Sequence, residues 1–559
     1  MTRAALTFAL LAAFWPAATV AAVRFVDPSQ PAAQDSGDGG SQHPYRTLTF
    51  AMKQLRPGDT LNIAAGVYRE ALIFPEIDWS AAPTVIQPAG TGDVLIKGSD
   101  AVTGWERVEP GLFMKRPWKT NSEQVFVDGV PLQQIGGTIY GGYPGKPGHP
   151  MAKLHPTQGG IWPGRVAGGI EQMKDNSFYY DAATQSLYIK VPHVALEGHS
   201  VEASVRPHLV LGKGVQNVTL KKLHFQHANT TAVNQTGAIH LWQSNRNVLE
   251  ELDVRYVDGA GFDITGDGNV IRNSKADYCG QLGMKVRGRA NRLTGNETSF
   301  NNTRGFNKWW EAGGAKFVGA GGLRDSEVSG HRAIGNRGDG IWFDWMNSNN
   351  RVHDNVAAYN EGFGIHYEAS REGYIYNNYV FGNRQRGIYL PHSSGSIVAY
   401  NLVVKNGSEG IAVIDEGRSR DKPELTPRAN RVFGNIIAWN GRTSLVLPVG
   451  LLDNAADYNL YVSAKDAPGF SIGWGSRESP IRKGLDAWRA ASGQDAHSWN
   501  PSSDIPPALL ASLEAQRPDP DWTQLMAMAA NYKVQAAPAL RGTPLAAVAD
   551  YQVSPGPKR

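Results

Sequence analysis

The sequence predicts an all-β chain folded as a right-handed parallel β-helix, with a small inserted β subdomain and short helical caps. First, the phrase Asn-x-x-x-Gly-Ile recurs with its glycines at positions 340, 364, 387 and 410, spaced by 24, 23 and 23 residues. Such a period indicates a solenoid in which each turn buries its apolar face against its neighbours. Second, in most repeats another asparagine precedes the first by five positions, with a short apolar run between them. Third, 63 Gly and 33 Pro are typical of strands and turns.

The paired asparagines mark the corners of the predicted turns. Asn355 and Asn360 belong to one repeat, and Asn378 and Asn383 belong to the next. Asparagine tolerates the left-handed backbone conformation of a tight corner. We therefore expect the asparagines to occupy that conformation and to bond their side chains from turn to turn.

Residues 1–22 are predicted to be a secretory signal peptide. Arg3 precedes an apolar run, which ends at the small-residue cleavage site Val20-Ala-Ala22. No later apolar run is long enough to span a bilayer, so no membrane partner is expected. The predicted location is periplasmic or secreted.

Composition excludes several classes of protein. The single cysteine, Cys279, rules out an intramolecular disulfide framework and a cysteine-built metal site. The net charge of +4 is small for 559 residues and no basic run stands out, so nucleic acid is not an expected partner. The oligomeric state stays open.

The mature chain divides into four predicted segments. Residues 23–104 are an N-terminal cap, with a helix before Pro57-Gly58, and the first solenoid turns. In residues 105–207 the period vanishes and strands alternate with turns, which predicts the inserted subdomain; its loop 136–169 is a candidate to overhang a cleft. Residues 208–462 form the β-helix core with the active face, and residues 463–559 form the C-terminal cap and tail. Two long loops, 302–313 and 418–427, interrupt the core, and such loops are often functional.

Alternation along the repeated strand assigns each side chain to the inside or the outside. After Gly340, Asp344 points outward, and after Gly364, Glu368 takes the same position one turn later. Neighbouring strands lie about 4.8 Å apart, so the two carboxylates are expected about 5 Å apart. That is the separation in a retaining glycosidase, where one carboxylate attacks the anomeric carbon and the other is acid and then base. Two such close charges do not both ionise freely, so one acid is expected to hold a proton. This chemistry needs no metal or other cofactor.

The outer face concentrates further ionisable and aromatic side chains. Lys316 is a candidate ion-pair partner, whose charge would let the two acids lie side by side. The tryptophans are candidates to stack on a sugar. One outer column is predicted to contain His240, Asp263, Lys285, Lys316, Trp342, His366 and Tyr389. The complete set of candidate substrate-binding residues is Lys316, Trp342, His366, Tyr389, His392, Trp309, Trp310, Glu311, Lys285, Arg287, Asp263 and Asp415.

The phrase Gly338-Asp-Gly-Ile-Trp-Phe-Asp-Trp-Met-Asn347 resembles the catalytic turn of the bacterial β-helix β-xylosidase family of glycoside hydrolases, within the pectate-lyase-like superfamily. That family places its nucleophilic aspartate in a Gly-Ile-Trp-x-Asp-Trp-Met phrase and its acid/base glutamate on the following turn. The resemblance implies Asp344 as the nucleophile and Glu368 as the acid/base. The phrase Gly313-Gly-Ala-Lys316 resembles the family's Gly-Gly-Ile-Lys, which implies that Lys316 lies beside the nucleophile.

Two other classes of protein remain open from the residues. A polysaccharide lyase or a uronate C5-epimerase would use Lys285, Arg287 or Lys316 as its base near Asp263, and a lyase would typically need Ca²⁺. The sequence shows no acidic cluster suited to the six or more oxygens of a Ca²⁺ site. A non-catalytic polysaccharide-binding β-helix is the third class. All three take an oligo- or polysaccharide as partner.

Overall fold

The computed structural model describes residues 21–136, 168–192, 195–230, 236–319, 321–450, 452–463, 468–473, 480–500, 508, 511–512, 515 and 523–541. The signal-peptide prediction for residues 1–22 falls outside this range, apart from residues 21 and 22. The predicted overhanging loop 136–169 also falls outside it, apart from its ends.

Three parallel sheets run along the solenoid, and most turns contribute one strand to each sheet. The third sheet is in two parts, which isolated bridges at Glu297 connect. Sheet I, which carries the candidate acids, contains Leu72–Ile73, Val210–Lys213, Gly237–Trp242, Ala260–Thr265, Leu282–Arg289, Gly313–Phe317, Asp339–Asp344, Ile365–Glu368, Ile388–Pro391, Ile411–Ile414, Leu445–Val446, Gly469–Ser471 and the antiparallel edge strand Arg482–Lys483. Sheet II contains Val23–Val26, Thr60–Ile63, Thr84–Pro88, Val218–Lys221, Val248–Glu250, Val270–Arg272, Arg292–Thr294, Leu323–Arg324, Glu327–Ser329, Ser348–His353, Arg371–Tyr376, Ile397–Ala399, Arg431–Phe433 and Ala455–Asp457. Sheet III contains Gly66–Tyr68, Val94–Lys97, His224–Gln226, Asp253–Arg255, Lys275–Asp277, Arg332–Ile334, Val356–Ala358, Tyr379–Phe381, Leu402–Val404, Ile436–Ala438 and Leu460–Val462.

The interior is a continuous apolar column, which confirms the predicted inward positions. Ile341, Phe343 and Tyr367 are completely buried in the main core. The Phe343 ring lies 4.7 Å from that of Phe317 and 5.1 Å from that of Tyr367, between centroids. The recurring glycine is required by close packing, because a β-carbon at Gly364 would lie 2.3 Å from a methyl carbon of Val380.

Buried asparagines bond from turn to turn, as predicted. The side-chain nitrogen of Asn360 donates to Asn383 at 2.9 Å, and that of Asn383 donates to Asn406 at 2.9 Å. A second ladder at the next corner follows the same pattern. Its members are Asn355, Asn378, Asn401, Asn435 and Asn459.

The prediction that these asparagines take the left-handed conformation is wrong. The left-handed residue is the one before each ladder asparagine, as at Tyr359 (φ 56°), Tyr400 (φ 57°) and Lys405 (φ 55°). Each ladder asparagine uses its own backbone N–H and its side chain to bond the next turn, as Asn360 does with Asn383. The backbone therefore changes direction at the residue before each ladder asparagine.

The inserted subdomain lies between two consecutive turns of the solenoid. The chain leaves the solenoid after Val94–Lys97 and returns at Val210–Lys213, which pairs directly with Leu72–Ile73. Its strands run from Ser99 to Ser204, so the first strand precedes the predicted boundary at residue 105. One sheet contains Ser99–Ala101, Val125–Val127, Val130–Pro131 and Val201–Ser204, and the other contains Glu106–Glu109, Leu112–Lys115, Gln133–Gln134, Ser177–Asp181 and Ser186–Lys190.

Helices cover the ends and one side of the solenoid. Leu48–Gln54 packs at the N-terminal end, where the Thr47 hydroxyl caps it by accepting from the Phe50 N–H. Leu485–Ser492 packs on the last turns through Trp488, whose ring stacks on Phe470 at 5.3 Å. A third helix, Thr523–Leu540, was not predicted; it packs on the outer side of sheet III. The described 3₁₀ helices are Ile170–Gln172, Arg418–Arg420 and Pro423–Leu425.

Candidate active site

Asp344 and Glu368 are direct partners on neighbouring parallel strands of sheet I. Asp339–Asp344 pairs in register with Ile365–Glu368, so that Trp342 lies beside His366 and Asp344 beside Glu368. Residues paired in this way point to the same side of a sheet. Phe343 and Tyr367, between them, point into the core, so both acids point outward.

Lys316 supplies the cation for Asp344. Its ammonium lies 3.0 Å from Asp344 Oδ2 and 3.3 Å from the centroid of the Trp342 ring, and it also donates to the backbone carbonyl of Trp310. The Lys316 side chain is only 4% exposed, against 20% for Asp344. Three partners therefore fix the lysine in place, while Asp344 keeps contact with solvent.

Glu368 is held by two donors, one on each oxygen. The indole N–H of Trp342 donates to Oε2 at 3.2 Å, and the guanidinium of Arg418 lies 2.5 Å from Oε1. Partial burial opposes the charge on Arg418, but Glu368, Glu416 and Asp344 outweigh it and raise the pKa of Arg418. Arg418 therefore faces both candidate acids.

His366 lies between the acid pair and a second buried carboxylate. Its Nδ1 is 2.9 Å from Asp339 Oδ2, and its Nε2 is 3.5 Å from Glu368 Oε2. The other Asp339 oxygen accepts the Phe363 N–H at 2.8 Å. The imidazole ring also stacks on Trp342, with centroids 4.9 Å apart. Asp339 thus fixes the orientation of the ring beside the acid.

Aromatic side chains form a wall on the side of the site that faces the C-terminus. Tyr389 stacks on His366 at 5.0 Å, and Phe363 contacts both rings at 4.7 to 4.9 Å. Trp309 lies 6.0 Å from Phe363 and is 48% exposed. The Tyr389 hydroxyl donates to Glu416, and burial raises the pKa of Tyr389.

Both interrupting loops contribute to the site. The loop 302–313 contributes the Trp310 carbonyl to Lys316, one turn before Asp344. The loop 418–427 contributes Arg418 to Glu368, and its Lys422 ammonium lies 4.5 Å from the ring of Trp345. Together the loops bury much of the outer column, which explains why Trp342 and His366 are each only 5% exposed.

His392 and Asp415 support the second loop. The Glu416 N–H donates to His392 Nε2 at 3.1 Å, and His392 Nδ1 is 3.4 Å from Asp415 Oδ1. Asp415 accepts the Gly417 N–H at 2.7 Å and the Ser419 hydroxyl. Burial lowers the pKa of His392, and the nearby Arg418 adds to that effect. His392 and Asp415 therefore hold the turn from which Arg418 extends.

Four predicted substrate-binding residues lie further towards the N-terminus and form two ion pairs, Lys285 with Glu311 and Asp263 with Arg287. Lys285 lies one turn before Lys316 and in register with it. The Lys285 ammonium is 2.5 Å from Glu311. Asp263, one turn further, is 3.0 Å from His240 and 3.5 Å from Arg287. Burial favours the neutral form of Asp263, but its cationic neighbours outweigh that and lower its pKa. These groups are charge-balanced and separate from the acid pair.

Family models identify the fold. The model described as right handed beta helix region matches residues 168–322, 237–401 and 325–447, which together span half of the chain. The chain belongs to this right-handed β-helix family. The predicted handedness is thereby confirmed.

One solved structure shares the architecture of this chain. The structure of XylC in complex with xylose superposes with a TM-score of 0.55 at 15% identity, covering 87% of this chain and 86% of XylC. A structure described as a glycoside hydrolase gives 0.48 at 12% identity, covering 85% and 99%. The A-module of the mannuronan C-5 epimerase AlgE6 of Azotobacter vinelandii gives 0.43 at 12%, covering 82% and 93%. No curated protein sequence matches the chain.

Sequence reasoning missed two residues of this β-helix site. Asp339 stands directly before the repeated Gly340, where the next turns have Phe363 and Arg386, so its departure from the repeat was a usable signal. Arg418 comes from a loop outside the period, and no spacing rule connects it with Glu368.

The described residues contain neither a metal-binding cluster nor a membrane-spanning helix. No group of three or more His, Cys, Asp or Glu residues in that part of the chain is arranged to hold a metal ion. Within the same residues, no helix is long and apolar enough to cross a membrane.

Proposed function

We propose that this β-helix protein acts on carbohydrate as a retaining glycoside hydrolase, with Asp344 as the nucleophile and Glu368 as the acid/base. The observation that carries the proposal is the in-register pairing of two outward carboxylates on neighbouring strands of sheet I. Strands of one sheet lie about 4.8 Å apart, which matches the carboxyl separation of about 5 Å in retaining enzymes. XylC, which shares the fold, binds a sugar, xylose.

Each neighbour of the pair has a defined part in the two-step reaction. Lys316, 3.0 Å from Asp344, places a positive charge beside that carboxylate and orients it. One Asp344 oxygen bonds to the anomeric carbon while Glu368 gives a proton to the departing glycosidic oxygen. Glu368 then takes a proton from water, which attacks the same carbon and releases Asp344. The indole N–H of Trp342 positions Glu368 Oε2 throughout.

The rival lyase and epimerase functions receive less support from the geometry. Both need a basic side chain that is free to take a proton from the sugar. Lys285 is paired with Glu311, Lys316 has three partners, and Arg287 is paired with Asp263. A lyase would give an unsaturated uronate product, which hydrolysis does not.

The test is substitution of each acid, after a screen of aryl glycosides and oligosaccharides has identified the sugar. Asp344→Ala and Glu368→Ala are each expected to lose at least 10³-fold in kcat/KM, in line with removal of a nucleophile or an acid/base. Glu250→Ala, which removes a carboxylate paired with Arg272 on sheet II, is the matched control and should keep full activity.

Azide distinguishes the two roles. With Asp344→Ala, azide is expected to restore turnover and to give a glycosyl azide of inverted configuration. Full activity of either acid variant, with native circular dichroism, would refute the proposal.

We also propose that the protein is exported, on the strength of residues 1–22. N-terminal sequencing of the native protein from the periplasm or the medium should find Val23 first.

A further inference from the structure

Both oxygens of Glu368 are occupied by donors. Trp342 holds Oε2 at 3.2 Å and Arg418 holds Oε1 at 2.5 Å. With a donor on each oxygen, neither oxygen is free to present a proton to a substrate. An acid catalyst needs the opposite state, because it must carry a proton that points to the leaving oxygen. One donor therefore has to leave before the first step.

Arg418 is the donor that is able to leave. The Trp342 ring lies in the middle of a strand, between Lys316 and His366, and is 5% exposed. The Arg418 side chain is 42% exposed and comes from a loop. Its guanidinium can rotate into solvent without disturbing the sheet.

The backbone that carries Arg418 is fixed, so movement is confined to the side chain. Asp415 holds the turn through the Gly417 N–H at 2.7 Å and the Ser419 hydroxyl. Gly417 has φ 97°, which suits glycine. Lys422, further along the loop, lies over the ring of Trp345 at 4.5 Å. The loop thus spans from the turn of Glu368 back to the residue after Asp344.

We propose that Arg418 is a positioning and specificity-determining residue, which holds Oε1 of Glu368 in the empty site and transfers its hydrogen bonds to the leaving group of a bound glycoside. This rests on the proposed function. In such an enzyme the acid/base faces the leaving group, whereas the nucleophile lies on the other side of the sugar ring. The guanidinium, at the oxygen of Glu368 away from Trp342, is therefore placed to meet the leaving group.

The proton balance follows from this exchange. When Arg418 leaves, Glu368 Oε1 takes a proton from an acid of the solvent buffer, and the proton that Glu368 gains from the attacking water in the second step returns to the buffer when Arg418 binds again. That proton goes to the glycosidic oxygen as its bond to the anomeric carbon breaks and Asp344 forms the new bond. The other charged or titratable groups that face Glu368 are Asp344 with Lys316, His366, Tyr389 and Glu416.

The experiment compares Arg418→Met and Arg418→Lys with wild type. Removal of a positive charge 2.5 Å from the proposed acid/base should move the basic limb of the kcat/KM profile to higher pH. Arg418→Lys should restore most of that shift. Arg420→Met, an exposed arginine on the same 3₁₀ helix, is the matched control and should leave the profile unchanged.

A second measurement varies the leaving group. A glycosyl fluoride offers almost no leaving group to bind, so Arg418→Met should retain kcat/KM for it within about twofold. On a disaccharide of the same sugar the variant should lose about tenfold, mainly through KM, the value of one charged hydrogen bond.

The outcomes separate the two proposals. An unmoved basic limb, with equal losses on the fluoride and the disaccharide, would overturn the role of Arg418 and leave the acid pair intact. Full activity of Asp344→Ala would instead remove the proposed function, and the role of Arg418 with it.

Discussion

The buried cation Lys316 offers the most quantitative test of the site. Replacement by Met keeps the length of the side chain and removes its charge. At 3.0 Å the Lys316–Asp344 attraction is about 5 kcal/mol for an effective dielectric constant of about 20, before desolvation. Removal of one member of a buried pair typically costs ~3–5 kcal/mol. Because Asp344 is 20% exposed, water recovers part of this, and we expect a loss of about 3 kcal/mol in unfolding free energy.

A double-mutant cycle isolates the pair. Asp344→Asn removes the other charge, so Lys316→Met combined with Asp344→Asn leaves no unpaired ion. We expect the double variant to be about 2 kcal/mol more stable than the sum of the single variants predicts. The assay is urea unfolding followed by tryptophan fluorescence, with the first cooperative transition compared among the four proteins. Additivity within about 0.5 kcal/mol would refute the reasoning, because it would show that the two charges are not coupled.

Three further predictions concern the scaffold. Asn378→Ala removes the side-chain bonds to Asn355, Val352 and Asn401 and leaves several buried polar groups without partners, so it should cost about 3 kcal/mol or more; the exposed Asn121→Ala should melt close to wild type, and equal melting of the two would contradict the ladder's role. Burial lowers the pKa of Lys533 to about 7, against about 10.4 when unfolded. The unfolded state therefore binds more protons between these values, and protection of the helix Thr523–Leu540 from proteolysis should increase from pH 7 to 10, but not in Lys533→Met; a flat wild-type profile would argue against it. Burial raises the pKa of the Cys279 thiol well above its usual range, so a thiol reagent should label it only after denaturation, and rapid labelling of the native protein would show that the core opens.

The fold and the position of the acid pair could be predicted because both depend on the repeat period of the sequence. A spacing of 24 residues between Gly340 and Gly364 fixes the register of the strands that follow, and that register places Asp344 beside Glu368. Alternation then assigned Phe343 to the core and Asp344 to the outer face. Because the turns repeat, the strand register inferred for one turn could be checked against that of the next.

What interrupts the period could not be predicted in the same way. The sequence marked loops 302–313 and 418–427 as long, but their conformations depend on contacts such as those of Asp415 with the turn at Gly417. As a result, neither the burial of the outer column nor the contact of Arg418 with Glu368 was foreseen. The pairing of Lys285 with Glu311 was missed for the same reason, since the glutamate belongs to a loop.

The inserted subdomain has a consequence for how proteins of this type change. Its entry strand, Ser99–Ala101, and its exit strand, Val201–Ser204, are antiparallel neighbours, so the insertion begins and ends at one place on the scaffold. The turns on either side, Leu72–Ile73 and Val210–Lys213, already hydrogen-bond to each other. The stacking that holds the acids does not pass through this module, so the register of Asp344 with Glu368 does not depend on it. The module does contact the loop 302–313, because Arg304 donates to the Glu123 carbonyl and to Gln134. A change of the attachment would therefore reach the chemistry through that loop and not through the coil.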